Sequence, residues 1–229
     1  WKLFGRTPGE AVAVGFGALF SNLVLLGLPI SERAWGGDTA SMAPAYAIVS
    51  IHAPFCYLLG ITSMELLRAD GRSLPETAKV VARAMFRNSL MIGIALGFIV
   101  NITALSLPEA LVSSVDIIAR AALPAALFGL GGTLTRYSAK ASVGEASTIS
   151  AVSLVLHPGI SFAICHLLEV PDELTSAVVL MAAMAPGVNA YLFASMYHRG
   201  QSTAASAVLL GTAASILSVS TWLWLMEIT

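Results

Sequence analysis

Long apolar runs, each closed by a short polar break, follow one another from one end of the chain to the other. An α-helix rises 1.5 Å per residue, so about 20 apolar residues cross the hydrocarbon core of a bilayer. Runs of that length predict seven spans, at about 9–30, 42–67, 84–104, 109–135, 146–168, 173–197 and 203–226. Arg68, Asp70, Gly71 and Arg72 close the second span, and Pro75 with Glu76 opens a charged, amphipathic start to the third. Ser138, Ala139 and Lys140 mark a later break, as do Pro171 and Asp172.

Two of these spans carry an interruption of their own. In the first, Ser21 and Asn22 break the apolar run and are followed by Gly27 and Pro29; in the sixth, residues 185–189 do the same with Pro186, Gly187 and Asn189. Proline removes a backbone donor and clashes with the preceding turn, and glycine permits close backbone approach. In lipid, freed backbone groups are tolerated only against protein or a water-filled cavity. Two discontinuous helices, one in each half of a chain, point to a transporter's binding site, because half-helix N-termini can face an anion near the midplane. A plain proline kink beside an asparagine bonded to its neighbour is the alternative for either helix alone.

Composition agrees with a membrane protein: 57% of residues are hydrophobic, 11% are charged, and the mean hydropathy is +0.82. A soluble domain carries about a quarter charged residues. The formal net charge of -1 hides an asymmetry. With seven alternating crossings, Lys2, Arg6, Arg68, Arg72, Lys79, Arg83, Arg87, Arg136, Lys140 and Arg199 fall on one side. The other side holds Arg33 with Glu32, Asp38, Glu109, Glu169, Asp172, Glu173 and Glu227. By the positive-inside rule the basic loops are cytoplasmic and the C-terminus is external. Nothing suggests nucleic acid, a cofactor or a metal. No nucleophile and base pair or metal-spaced cluster appears, so no enzymatic activity is expected. Cys56 and Cys165 lie inside apolar runs and read as buried free thiols, a disulfide requiring that their helices meet.

The candidate chemistry centres on the breaks. An asparagine amide offers two donors and an acceptor without a fixed charge, so it can hold an anion without a buried ion when empty. Asn22 and Asn189 are therefore the expected direct ligands, with Ser21 and Tyr191 contributing and Gly27, Pro29, Pro186 and Gly187 shaping the breaks. Asp116 and Arg120 stand four apart, in range for a helical ion pair or a substrate counter-charge. His52 and His157 each lie near a proline in a polar-poor helix, and can be read as proton carriers or as satisfied interhelical hydrogen-bond partners.

Six stretches together resemble the auxin efflux carrier family, which joins plant PIN-type auxin exporters to bacterial carriers for malonate and related acids. They are Phe20 to Ile30, His52 and Pro54 running to Glu65, Asn88 to Gly97, Arg120 to Gly132, His157 with Pro158, and Ala185 to Ala194 with Tyr197. PIN-type members carry proline just before the first asparagine, where this chain has Ser21, and many members have asparagine-proline where it has Asn88 and Ser89.

The resemblance implies an all-α polytopic bundle of ten helices in two inverted five-helix repeats with two broken crossover helices. The seven spans would be helices four to ten, and a segment of about three helices would precede Trp1. It further implies a mobile transport domain from 1–67 and 141–229, a scaffold from 68–140 that pairs in a homodimer, and an elevator-type mechanism. The expected function is transport of a small organic anion, such as malonate, malate or an auxin-like acid, across the inner (plasma) membrane of a bacterium. Two readings stand beside it: a sodium- or proton-coupled carrier of similar fold, and a membrane receptor that binds without moving its ligand.

Overall fold

The structure is a computed structural model, and it describes residues 5–36, 39–67, 73–87, 89–134 and 143–226. Lys2, Asp38, Arg68, Asp70, Gly71, Arg72, Asn88, Arg136, Ser138, Ala139, Lys140 and Glu227, which entered the charge and loop reading, lie outside these residues, as do the expected domain boundaries.

Helices account for every regular element among the described residues. In chain order they are α1 (Pro8–Leu19), α2 (Leu28–Trp35), α3 (Thr39–Leu67), α4 (Leu74–Arg87), α5 (Ser89–Thr103), α6 (Glu109–Leu134), α7 (Val143–Ala151), α8 (His157–Leu167), α9 (Asp172–Ala182), α10 (Val188–Tyr197) and α11 (Gln201–Leu225). Thr7 opens α1 with a reciprocal cap: Glu10 N donates to Thr7 Oγ1 and Thr7 N to Glu10 Oε2, with Pro8 preset for the first turn. Arg6 then ties this end to α7 by a bidentate pair with Glu145 at 2.8 and 2.7 Å. That bond, foremost, holds the guanidinium further toward its charged form.

Among the described residues, three stretches are long and apolar enough to cross a bilayer unbroken: Ser41–Leu67, Val143–Leu167 and Gln201–Leu225. The first and sixth expected spans are each split, into α1 with α2 and α9 with α10, and every part is only 8–12 residues long. The third expected span, 84–104, is corrected at its start. Residues Pro75–Arg87 and Met91–Thr103 meet at a bend of 76°, so the amphipathic α4 is a helix in its own right. Its apolar stripe buries Thr77 and Val81 while Lys79, Arg83 and Arg87 stay exposed.

Two π turns, Leu23–Gly27 and Val152–Leu156, precede Pro29 and Pro158 by the same two residues. A proline ring displaces the carbonyl four residues back, and a wider turn absorbs that displacement. At Pro158 the freed carbonyl is that of Leu154, and α11 satisfies it twice, through Ser218 Oγ at 2.7 Å and Trp222 Nε1 at 2.9 Å.

The main core gathers around stacked Phe16 and Phe193, 4.0 Å between ring centroids, with Tyr57 edge-on to both. Gly60 lets α3 approach this pair, since a Cβ there would sit 2.6 Å from the Phe16 ring. Val81 of α4 and Met91 of α5 belong to the same cluster, so the core continues past residue 68 into the expected scaffold. A second cluster of Leu23, Met42, Leu180, Met181 and Met184 fills the opposite side of the breaks.

Candidate functional site

The two interruptions lie against each other. Ser21 and Pro186 face one another as an isolated antiparallel bridge. Asn22 N donates to Ala185 O and Gly187 N to Phe20 O, both at 2.8 Å. Bridge and flanking bonds together make Ser21 and Pro186 a non-hydrogen-bonded pair, in which the pairing draws on neither residue's N–H. A proline therefore fits opposite a serine at no cost in hydrogen bonds. Gly187 permits the approach: a Cβ there would meet Phe20 Cδ1 at 3.2 Å and Asn22 Cα at 3.4 Å.

Each broken end finds substitutes for its lost helical bonds. The last carbonyls of α1 are taken in turn by Ser153 Oγ at Ala18, Cys56 Sγ at Leu19 and Gly187 N at Phe20. Asn22 O accepts from Leu26 and Gly27, which starts the π turn. Pro186 seats on Gly211 of α11, where an added Cβ would lie 2.5 Å from the ring.

A cavity of about 870 Å³ opens at this junction. One wall holds Ser21, Asn22, Val188 and Asn189; α3 supplies Tyr46, Ser50, His52 and Ala53; α5 supplies Ile94, Gly97, Phe98 and Asn101. Asn22 is 9% exposed, and Ser21 Oγ is buried without a hydrogen-bond partner. A buried hydroxyl left unmatched costs about 1–3 kcal/mol, so it is a group awaiting an acceptor. Asn189 is positioned through its oxygen, which accepts from Tyr57 Oη at 3.3 Å, leaving the amide NH₂ for a ligand. The lining contains no Asp, Glu, Lys or Arg among the described residues. It is an apolar vessel with neutral donors at one place, beside the N-terminus of α10.

A family model described as "Membrane transport protein" matches residues 1–223. The chain belongs to the auxin efflux carrier family. A relative from Rhizobium meliloti (strain 1021), named "Putative malonate transporter", is 25% identical over 226 residues, covering 97% of this chain and 69% of the relative. The protein is thus an integral membrane transporter built of helices.

Within this carrier the structure gathers some of the expected residues and separates others. Asn22, Asn189 and Ser21 meet at one wall, with His52 on the same cavity. Pro186 and Gly187 form the second break itself, whereas Gly27 and Pro29 lie beyond the first, where Gly27 packs against Met181 and Met184. Tyr191 is turned from the cavity and packs on the Phe16 cluster. His157 lines a separate, smaller cavity. Asp116 and Arg120 pair with each other at 2.8 Å on an exposed stretch of α6, off the cavity. Both cysteines are free and buried.

Sequence reasoning missed Tyr57, Gly211, Ser50 and Asn101. Ile94, Gly97, Phe98 and Asn101 recur at helical spacing on one face of α5, as do Tyr46, Ser50, Ala53 and Tyr57 on α3. A lone polar residue on such a face of an apolar helix was the available signal.

Proposed function

We propose that this carrier moves a small organic anion, a carboxylate, which it holds in the large cavity with the Asn22 and Asn189 amides and the Ser21 hydroxyl. The observation that carries the reading is the convergence of those three donors from two broken helices on one apolar cavity free of carboxylates among its described residues. A wall of neutral donors and a helix N-terminus selects negative charge and still releases it, since no fixed cation grips the ligand. The relative's name makes malonate the first substrate to test.

Alternating access follows an elevator scheme in this reading. The broken helices with α3, α7, α8 and α11 move as the transport unit, and α5 and α6 form a scaffold that pairs with a second copy in the bacterial inner membrane. Support comes from the cavity's position, with α5 and Ala119 of α6 facing the junction. The exposed apolar residues Leu111, Val112, Val115, Ile117 and Ile118 on α6 give lipid or a second copy a surface. The basic loops face the cytoplasm.

The test is flux of labelled malonate in proteoliposomes. Asn22→Ala and Asn189→Ala are each expected to lower uptake at least tenfold, with the thermal unfolding midpoint near the parent's. Normal flux in both variants would overturn the site, and saturable binding without flux would make the protein a receptor.

A further inference from the structure

A second cavity of about 150 Å³ adjoins the junction and shares Ser21, Leu23 and His52 with the large one. Its other polar lining is His157 and Ser161 of α8. Two imidazoles from different helices thus line one small cavity, and His157 Nδ1 and Ser21 Oγ are buried beside it with no hydrogen-bond partner. Ser161 is turned back, its hydroxyl donating to His157 O at 2.9 Å. The π turn and Pro158 fix where His157 enters α8.

Apart from a backbone hydrogen bond between His52 and Ser21, no group among the described residues stands by to balance a charge. From α9 the lining is Val178, Met181 and Ala182, and from the π turn after the first break it is Leu23. On α3 the titratable neighbours are Tyr46, which lines the large cavity with His52, Cys56, whose Sγ is 3.7 Å from the His52 ring nitrogens, and Tyr57, which is engaged with Asn189. The Phe20 ring stands edge-on to His52, with centroids 5.0 Å apart. No carboxylate and no Lys or Arg lines either cavity among the described residues. A proton on one imidazole excludes a second by repulsion, and its lone charge in an apolar setting is unfavourable unless an anion sits next to it. The large cavity is that neighbouring place, and His52 and Ser21, with Leu23, are the shared wall.

We propose that His52 and His157 form one proton-binding pair, and that the proton held there accompanies the anion of the large cavity. This rests on the carboxylate reading above. One proton enters from the side where the anion binds, resides on an imidazole nitrogen, and leaves to water when the anion leaves, so both rings return to neutral. Because linkage is reciprocal, the proton must strengthen anion binding as much as the anion strengthens proton binding.

The experiment measures malonate binding to the full chain in detergent at pH 6 and pH 8, in two buffers of different ionisation enthalpy, alongside a histidine NMR titration without malonate. The parent is expected to take up about one proton per malonate and to bind roughly tenfold tighter at pH 6, within the usual range of coupling. His157→Gln and His52→Gln are each expected to abolish proton uptake, with His157→Gln binding at both pH values as weakly as the parent does at pH 8. His166→Gln, stacked on Phe162 elsewhere in α8, is expected to leave proton uptake intact. Malonate bound without proton uptake, or a pH dependence surviving in both variants, overturns the proposal. Should malonate bind at neither pH, the reading of the large cavity fails, and the NMR titration judges the pair: one shared proton, with His157→Gln moving the His52 titration, supports it, whereas two independent titrations overturn it.

Discussion

The two interrupted helices reach the same junction by different means. The second break contains its own cause, since Pro186 and Gly187 end α9 by their covalent structure. The first break, Phe20 to Asn22, has neither proline nor glycine, yet Phe20 is extended, with φ −90° and ψ 97°. Two backbone bonds to the second break and the side chains of Ser153 and Cys56 hold it open. One break is therefore intrinsic and the other is templated, and the positions that PIN-type relatives fill with proline need not carry one when the partner strand supplies the geometry.

The largest effect that could break this comparison comes from outside both helices. Gly211→Val would drive a methine carbon into the Pro186 ring, which cannot rotate away. The expected result is a loss of about 1–3 kcal/mol, the usual range for overpacking, read as a lowered unfolding midpoint together with lost malonate flux.

Next come two exchanges of the residues that face each other. Pro186→Ala removes the intrinsic stop, and amide hydrogen exchange is expected to quicken at both Asn22 and Gly187, because the template and its copy loosen together. Ser21→Pro is expected to leave those rates nearly unchanged, since the pairing does not use the Ser21 N–H, while malonate binding weakens with the lost hydroxyl. Equal acceleration in both variants would show that neither break is the template.

The smallest expected effect is at Gly27→Ala. The added Cβ would meet Met181 Sδ at 2.8 Å, but a thioether chain can swing aside. A change below about 1 kcal/mol in thermal unfolding is expected, and its contrast with Gly211→Val separates a soft neighbour from a rigid one.

Much of this was legible in the sequence. Apolar run length marks the helices, and Ser21, Asn22, Pro186 and Asn189 mark the breaks, because polar and helix-breaking residues are conspicuous against lipid-compatible sequence. The bend between α4 and α5 is flanked by polar Arg87 and Ser89, a signal that a span read from mean apolarity over 84–104 runs across. The direction of Tyr191 was hidden, because helical phase next to a break depends on where the helix restarts. Tyr57 and Gly211 act on residues far from them in sequence, Asn189 and Pro186, and nothing local marks such a partner.

The junction joins positions about 160 residues apart. At the usual ~5–20 residues per second of synthesis, the first break leaves the ribosome on the order of ten seconds or more before its template exists. Throughout that interval nothing within Phe20 to Asn22 itself breaks the helix, so the nascent segment can run through this stretch with its amides bonded internally. The broken shape of the first span is therefore a late event in biogenesis, completed only when α9 and α10 arrive.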